Sequence, residues 1–287
     1  MKRTIILILT VAFCLMLISC GSYDTSADIA ATTLPVYELT VKLCEGTGLK
    51  VNRIITENVS CLHDYTLQPG QMKALEQAQL TVLSGAGLEE FMEDTLSSTT
   101  VDASQGITLL CPEHHHDHED HAHEHDPHIW LSPENGKIMA QNIYIALCER
   151  FPLKAEQFAE NYTKVIDEFN ALIAYGKKEL SSLSCKELVT FHDGFAYMAQ
   201  GYGLTILHTM EEESGSEASA KELIEICKDV QEHDVPAIFT EQNGSERAAT
   251  IVSRETGAII YTLDMGMSDG YFTALYHNIN TLKEALG

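Results

Sequence analysis

A long segment of helical character, flanked on both sides by alternating strand-like and helix-like stretches, constrains the fold more than any other feature. Residues 153–183 contain no proline and a single glycine, Gly176. Apolar residues recur there every three or four positions, and this spacing predicts one long helix. The alternation on either side is typical of parallel sheets. The sequence therefore predicts an α/β fold, in which two parallel-sheet lobes are bridged by one long helix and ligands bind in the cleft between them.

The first residues have the pattern of an export signal. Lys2 and Arg3 precede an apolar run that is too short for a comfortable membrane span, so residues 1–19 are interpreted as a signal peptide. The run ends in L-I-S-C, which resembles a bacterial lipobox and predicts lipidation of Cys20. An ordinary secretory signal beside a cysteine is the alternative. The expected organisation is then a lipidated Cys and tether at 20–28, an N-terminal lobe at 29–152, the bridging helix at 153–183 and a C-terminal lobe at 184–287.

Charge and cysteine content limit the kinds of partner. The formal net charge of −24 at pH 7 argues against nucleic acid, because phosphate contacts need lysine and arginine. An acidic surface suits cations or solubility, but it does not identify a ligand by itself. Cys14 lies in the signal and Cys20 is the predicted lipidation site. No two of the other six cysteines are spaced as C-x-x-C, so a thiolate zinc cluster is not expected. Disulfide pairing is left open for Cys44, Cys61, Cys111, Cys148, Cys185 and Cys227.

A histidine-rich run occupies residues 113–126, which contain seven histidines, six carboxylates and one alanine. No period in this run gives an apolar face, so it is interpreted as a mobile loop. The pattern H-x-x-E-H at 121–125 matches a metalloprotease motif only formally, because its ligands align only on a helix. The loop is either a solvated acidic segment with incidental metal affinity or a collector that captures metal weakly. Its candidate accessory ligands are His114, His115, His116, His118, His121, His123 and His125.

Four isolated residues at strand ends, or in the loops just after them, form the candidate metal site in the cleft. They are His63, His128, His192 and Asp264. Three neutral imidazoles and one carboxylate suit the tetrahedral preference of Zn²⁺, whereas a site richer in carboxylates would favour Mn²⁺ or Ca²⁺. The fourth ligand is the least secure, because Glu241 also ends a strand in the second half. The alternatives are Asp264, Glu241 or water.

Residues beside these ligands have candidate supporting roles. Asp126 and Asp193 lie close in sequence to a ligand histidine, and either one could orient an imidazole by accepting its second N–H. Capping of the following turn is an equally good interpretation for Asp193. For Glu241, a packing role or a hydrogen bond in the cleft is favoured over ligation. Trp130, the only tryptophan, could line the site and exclude water, although core packing is the default for this residue type.

Several motifs together resemble the ZnuA/TroA-like metal-binding proteins of bacterial ABC importers for zinc and manganese. These motifs are LHDYTLQPGQ, D-P-H-I-W-L-S-P, F-H-D-G-F-A-Y and I-I-Y-T-L-D-M-G, and the likeness covers essentially the whole chain after the signal. The second motif is commonly D-P-H-x-W-L-D-P and the third H-D-A-F-x-Y, so Ser132 and Gly194 depart from the pattern without removing a ligand. The family fold, two α/β lobes bridged by a single helix, agrees with the fold predicted above.

The resemblance implies a solute-binding protein without enzymatic activity. Histidine at the third ligand position, His192, and the histidine-rich loop before the second ligand are both typical of zinc members, so Zn²⁺ is the expected metal. The implied partner is an ABC permease in the membrane with its ATPase, and we expect a monomer held outside the cytoplasm by the lipidated Cys20 or free in a periplasm. A manganese or iron member of the same class and a zinc-dependent surface adhesin are the alternatives. A zinc hydrolase would need a ligand-plus-base unit in a credible helix, and none is found.

Overall fold

Two parallel sheets, one from each half of the chain, form the frame of the structure. The structure is a computed structural model, and it describes residues 26–56, 65–96, 99–111, 125–210, 219–242, 244–268 and 270–287. The first sheet contains β1 (Ile29–Ala31), β2 (Val51–Arg53), β3 (Leu80–Leu83) and β4 (Thr100–Asp102), in the order β2-β1-β3-β4. The second contains β5 (Glu187–Thr190), β6 (Thr205–Thr209), β7 (Ala237–Glu241) and β8 (Ile259–Leu263), in the order β6-β5-β7-β8. Paired strands run parallel, which confirms the predicted fold class.

Helices connect the strands and join the two lobes. The first lobe contains α1 (Leu34–Leu43), α2 (Pro69–Gln77) and α3 (Pro133–Arg150), with 3-10 turns at Glu90–Thr95 and Ile129–Leu131. A 3-10 turn at Pro152–Lys154 leads into the bridging helix α4 (Ala155–Glu179). The second lobe contains a 3-10 turn at Asp193–Phe195 and then α5 (Ala196–Tyr202), α6 (Ala220–Glu232), α7 (Arg247–Thr256) and α8 (Tyr271–Leu286). Over the described ranges, none of these helices combines the length and the apolar character needed to cross a membrane.

Local sequence explains where two of the helices begin. Ser132 Oγ accepts a hydrogen bond from the backbone N–H of Asn135 at 3.4 Å, and Pro133 occupies the first turn of α3. In α6, Ser219 Oγ accepts from the backbone N–H of Glu222, whose carboxylate accepts from the backbone N–H of Ser219. Both arrangements satisfy N–H groups that a helix start leaves without partners inside the helix. Ser132 therefore caps α3 although it departs from the family pattern.

A buried carboxyl group joins the carboxyl ends of β1 and β3. Glu89 is 4 % exposed. It accepts hydrogen bonds from Thr32 Oγ1 at 2.6 Å and from the backbone N–H groups of Ser84 and Gly85 at 2.7 and 2.9 Å. Burial raises the pKa of Glu89 to about 7, although the three hydrogen bonds act in the opposite direction. This group fixes two strand ends at the edge of the sheet where parallel α/β folds place their ligands.

The bridging helix α4 is attached to both lobes. At 25 residues it is about 37 Å long. Near its beginning, Asn161 Nδ2 donates to the carbonyl oxygens of Leu43 and Glu45 at 3.0 and 2.8 Å, where α1 ends. Further along, the ring of Phe169 is fully buried and lies 4.8 Å from the ring of Phe272 in α8, measured between centroids. The predicted long helix is thus confirmed, and its contacts hold the lobes at a set separation.

One continuous apolar core runs through both lobes. Fully buried members come from the first sheet (Ile29), from α4 (Phe158), from the second sheet (Phe239) and from α8 (Leu282). A second cluster lies between the second sheet and the helices α6 and α7; it contains Val189, Phe191, Met210, Ile226, Val230, Val235, Ile238, Ala248, Ala249, Val252 and Ala258. The first cluster therefore includes the interface between the lobes, and the second belongs to the C-terminal lobe alone.

We expect Phe169→Ala to lower the free energy of unfolding by about 3–5 kcal/mol, because it leaves a cavity where α4 packs on α8. Denaturant unfolding followed by circular dichroism measures the loss. Leu153→Ala is the control, since this side chain is 98 % exposed and its removal should change stability by less than about 0.5 kcal/mol. Equal effects of the two substitutions would contradict the assigned role of α4.

Candidate metal centre

His128 lies in the first lobe, directly before the turn Ile129–Leu131, and is held by Asp126. One oxygen of this carboxylate, Oδ1, accepts from the backbone N–H of His128 at 2.8 Å and lies 2.8 Å from Nδ1 of its ring. Both residues are 7 % exposed. A carboxylate partner holds the proton on Nδ1, so the imidazole presents Nε2 as its ligand atom. Asp126 thus contacts His128 in the way that the sequence suggested, and ligation by His128 stays a prediction.

His192 reaches the same place from the second lobe. Its ring lies 5.2 Å from the ring of His128, between centroids, at an angle of 80°. Nδ1 of His192 is 3.6 Å from Oε2 of Glu241, the last residue of β7, and Nε2 is 3.9 Å from Oδ1 of Asp193. His192 and Glu241 are buried, whereas the side chain of Asp193 is 41 % exposed. Two imidazoles and two carboxylates therefore meet between the carboxyl ends of the two sheets.

The spacing of these groups fits a single ion. Ligand atoms of His128, His192 and Asp193 all lie within 4.8 Å of one another. Nitrogen ligands about 2.0 Å from a tetrahedral Zn²⁺ are about 3.3 Å apart, so a small movement of the rings would bring both imidazoles onto one ion. The arrangement can hold a divalent cation through nitrogen and oxygen atoms.

The electrostatics around His128 favour its charged form. Burial lowers the pKa of His128, but the hydrogen bond and the charge of Asp126, together with the charges of Asp193 and Glu241, outweigh burial. The pKa therefore lies above the ordinary value of 6.5. A proton then competes with a metal ion for this imidazole up to a higher pH than at an ordinary histidine.

The remaining predicted ligands have different outcomes. His63 lies outside the described residues. Asp264 directly follows β8 and is half-buried; its Oδ1 accepts from the backbone N–H of Gly266 at 2.7 Å. Asn278 in α8 binds both the backbone N–H and the carbonyl oxygen of Asp264. Among the described residues, the donor group that converges within 4.8 Å does not include Asp264. The identity of the fourth ligand, Asp264, Glu241 or water, therefore stays a prediction.

The histidine-rich loop and the lipidation site fall largely outside the described residues. Of the candidate accessory ligands, only His125 is described, and it is partly exposed at the end of the loop. Cys20 and the signal segment precede the first described residue, Ser26. Ligation by the loop histidines and lipidation of Cys20 remain predictions.

Close packing behind the imidazoles explains the glycine at position 194. Trp130 is buried beside His128, with 5.3 Å between ring centroids, and its Nε1 donates to the carbonyl oxygen of Met265 at 2.7 Å. A Cβ atom on Gly194 would lie 2.3 Å from Cε of Met265 and 3.0 Å from Cγ of His128. The alanine common in the family would therefore require the flexible end of Met265 to move and would press on the ring of His128. Met265 brings the loop after β8 against the site, a contact that the sequence did not predict.

Tyr197 is a supporting residue that the sequence analysis missed. Its hydroxyl group accepts from the backbone N–H of Leu110 at 3.0 Å and donates to the carbonyl oxygen of Asp126 at 2.8 Å. Burial raises the pKa of Tyr197 to about 12, so the phenol keeps the proton that it donates. Tyr197 lies in α5, the helix that follows His192, and so joins the surroundings of His192 to those of His128. The motif F-H-D-G-F-A-Y contains this tyrosine, but nothing in the sequence indicated its partners.

Comparison with known proteins shows which protein family this chain matches. The family model described as "Zinc-uptake complex component A periplasmic" matches residues 29–285. A "Putative metal-binding protein" of Treponema pallidum (strain Nichols) is 27% identical over 281 residues, which cover 92% of this chain and 88% of that protein. The "Zinc-binding lipoprotein AdcA" of Streptococcus pneumoniae serotype 4 is 28% identical over 306 residues, which cover 98% of this chain. The chain spans 61% of the length of that second relative.

Solved structures share the fold. A crystal structure of ZnuA matches with a TM-score of 0.80 at 26% identity, over 91% of this chain and 100% of that one. A Mn-bound periplasmic metal binding protein from Candidatus Liberibacter asiaticus gives a TM-score of 0.78 at 20% identity, with coverage of 91% and 100%. The laminin-binding adhesin (Lmb) from Streptococcus agalactiae gives 0.79 at 23% identity, again with coverage of 91% and 100%. At these lower identities the last two matches show a likeness of fold alone.

Asp126→Asn tests the pair of Asp126 and His128. For the wild type we expect zinc affinity to fall with decreasing pH through a midpoint above 6.5, since the raised pKa keeps His128 protonated to a higher pH. Removing the charge of Asp126 lowers that pKa, so the midpoint should move to lower pH. Loss of the charged partner should also weaken binding by about 10- to 100-fold at a pH where the imidazoles are neutral. Competition with a fluorescent chelator over a pH series measures both effects.

A matched control for this prediction is Asp229→Asn. Asp229 lies 3.4 Å from Nδ1 of His208, a second aspartate–histidine pair outside the site. This substitution should leave both the midpoint and the affinity unchanged. If Asp126→Asn also keeps the wild-type midpoint and affinity, Asp126 does not orient a ligand.

We expect Tyr197→Phe to destabilise the protein by about 1–3 kcal/mol, because it leaves the backbone N–H of Leu110 and one hydrogen bond of Asp126 without a partner in a buried place. Thermal unfolding in the absence of metal measures this effect. Tyr175→Phe is the control, since the Tyr175 hydroxyl donates to Asn280 at the surface and its loss should have little effect. No difference between the two variants would show that the hydroxyl of Tyr197 is not a structural link.

Proposed function

We propose that this chain, which belongs to the family of periplasmic zinc-uptake complex component A proteins, captures Zn²⁺ outside the cytoplasm and delivers it to the permease of an ABC importer. The family is one of metal-binding, solute-binding proteins and not an enzyme family. The observation that supports capture is the meeting of His128 and His192, one from each lobe, at a buried place in the cleft. An ion that binds both imidazoles joins the two lobes.

Zinc is favoured over manganese by the ligand chemistry. Imidazole nitrogen suits Zn²⁺, whereas carboxylate and water oxygens suit Mn²⁺. His128 and His192 are both buried, and each brings one ring nitrogen to within 4.8 Å of the other. We propose that His63 supplies the third nitrogen and that a carboxylate, Asp264 or Glu241, supplies the fourth ligand. Ligation by both Asp193 and Glu241 would raise the share of oxygen ligands and favour manganese instead.

We infer binding rather than catalysis at this centre. Hydrolytic zinc sites keep one coordination position open for water and place a general base beside it. The four protein ligands proposed for the cleft would fill the four positions of a tetrahedral ion. A filled, buried site suits retention of the ion until another protein opens the cleft.

Attachment and partners follow from the same proposal. We propose that Cys20 is lipidated, so that the protein is held at the outer face of the membrane. The protein would then act as a monomer beside a membrane permease and its ATPase. The strongly acidic composition of the chain does not suit nucleic acid as a partner.

Calorimetric titration with Zn²⁺ and, separately, Mn²⁺ tests the proposal. We expect one tight zinc site and much weaker manganese binding. His192→Ala should weaken zinc binding by about 100-fold or more, because the ion loses one buried nitrogen ligand. Deletion of residues 113–125 should leave the tight site nearly intact, since the loop histidines are assigned to accessory sites.

The control is His277→Ala, which removes an exposed histidine of α8 and should leave zinc affinity unchanged. Comparable affinities for zinc and manganese would replace zinc by manganese as the transported ion. Loss of the tight site with the loop deletion, and not with His192→Ala, would contradict the assignment of the cleft as the capture site.

A further inference from the structure

We infer that Cys111 and His125 form a second metal-binding pair, outside the cleft, that takes a soft divalent ion through a thiolate and an imidazole. The two side chains face each other, with 3.8 Å between Sγ of Cys111 and Nδ1 of His125. Cys111 is exposed and carries a free thiol. The pair stands at the two ends of the histidine-rich segment and is independent of the ligands proposed for the cleft.

Hydrogen bonds on the inner side hold the pair in place. The backbone N–H of Asp126 donates to the carbonyl oxygen of Leu110 at 2.8 Å. The hydroxyl of Tyr197 joins the same two residues from the other side, through the N–H of Leu110 and the carbonyl oxygen of Asp126. Cys111 and His125 are the next residues outward from this link. Their backbones are therefore fixed relative to each other before any ion arrives, and a preformed pair loses less entropy on binding.

The distance between the two donor atoms matches a shared ion. With Zn–S about 2.3 Å and Zn–N about 2.0–2.1 Å, a tetrahedral angle places sulfur and nitrogen about 3.5–3.6 Å apart. The observed separation of 3.8 Å corresponds to an angle of about 120° at the ion with those same bond lengths. An ion can thus enter between Cys111 and His125 with almost no movement of either side chain.

The ligand types define the class of ion. Thiolate is a soft ligand that selects Zn²⁺ and its softer analogues, and imidazole suits zinc as well. Neither ligand suits Mn²⁺ or Ca²⁺, which prefer oxygen. Among the described residues, no third donor completes a compact group with Cys111 and His125. As two ligands at the surface, the pair binds an ion more weakly than the buried centre between the lobes and exchanges it readily.

Cobalt titration tests this pair by a signal that the ligands proposed for the cleft cannot give. The full protein is kept reduced with a phosphine, loaded with one equivalent of Zn²⁺ and titrated with Co²⁺. Only a sulfur ligand gives a thiolate-to-cobalt charge-transfer band in the near ultraviolet. We expect this band in the wild type, its loss in Cys111→Ser and a weaker apparent cobalt affinity in His125→Ala.

Two control variants separate this inference from the proposed function. Cys148→Ser removes another partly exposed free thiol and should keep the band. His192→Ala disrupts the cleft and should also keep the band, so failure of the zinc-capture proposal would not remove it. Absence of the band in the reduced wild type, or its persistence in Cys111→Ser, would overturn the assignment of Cys111 as a ligand. An unchanged cobalt affinity in His125→Ala would overturn the assignment of the pair.

Discussion

Packing of the bridging helix against both lobes is the interaction on which the rest of the structure depends. The metal centre takes one imidazole from each lobe, so its dimensions follow from the distance between the sheets. Phe158 and Phe169, on the inner side of α4, are fully buried. Asn161 fixes the helix to the end of α1. A continuous helix of this length resists bending more than a pair of flexible linkers would. The positions of the two imidazoles thus depend on an apolar core that supplies none of the proposed ligands.

Polar contacts between the lobes concentrate on the loop that follows β8. Arg53, at the end of β2, donates to the carbonyl oxygen of Met267 at 2.8 Å. Trp130 donates to the carbonyl oxygen of Met265, and the hydroxyl of Tyr271 donates to the carbonyl oxygen of Trp130 at 2.7 Å. The loop that carries the candidate ligand Asp264 is therefore held by the opposite lobe. Because the bonds from Arg53 and Trp130 end on backbone carbonyls of the loop, they hold its position without depending on its side chains.

Much of this arrangement was predictable from the sequence, and the limits have physical causes. The alternation of strands and helices was predictable because apolar periodicity is a local property. Strand β4 carries no such signal, because this three-residue edge strand is half-exposed and lacks an apolar run. His128 and His192 were predicted to lie at strand ends or in the loops after them. The structure brings the two rings together, with His192 just after β5 and His128 just before the turn Ile129–Leu131. The partners of Tyr197 and the contact between Glu241 and His192 depend on how the lobes approach each other, which no local pattern records.

The division of the apolar residues into two clusters has a consequence for how the protein opens. Helices α6 and α7 rest on the second cluster, which does not extend to the interface between the lobes. The larger cluster includes both sheets, α4 and the residues behind the imidazoles. Local opening of the outer layer of the C-terminal lobe can therefore occur while the larger unit stays closed. In hydrogen-exchange terms, amides of α6 and α7 belong to a less protected unit, and the amides around the ion belong to the unit whose opening is global unfolding.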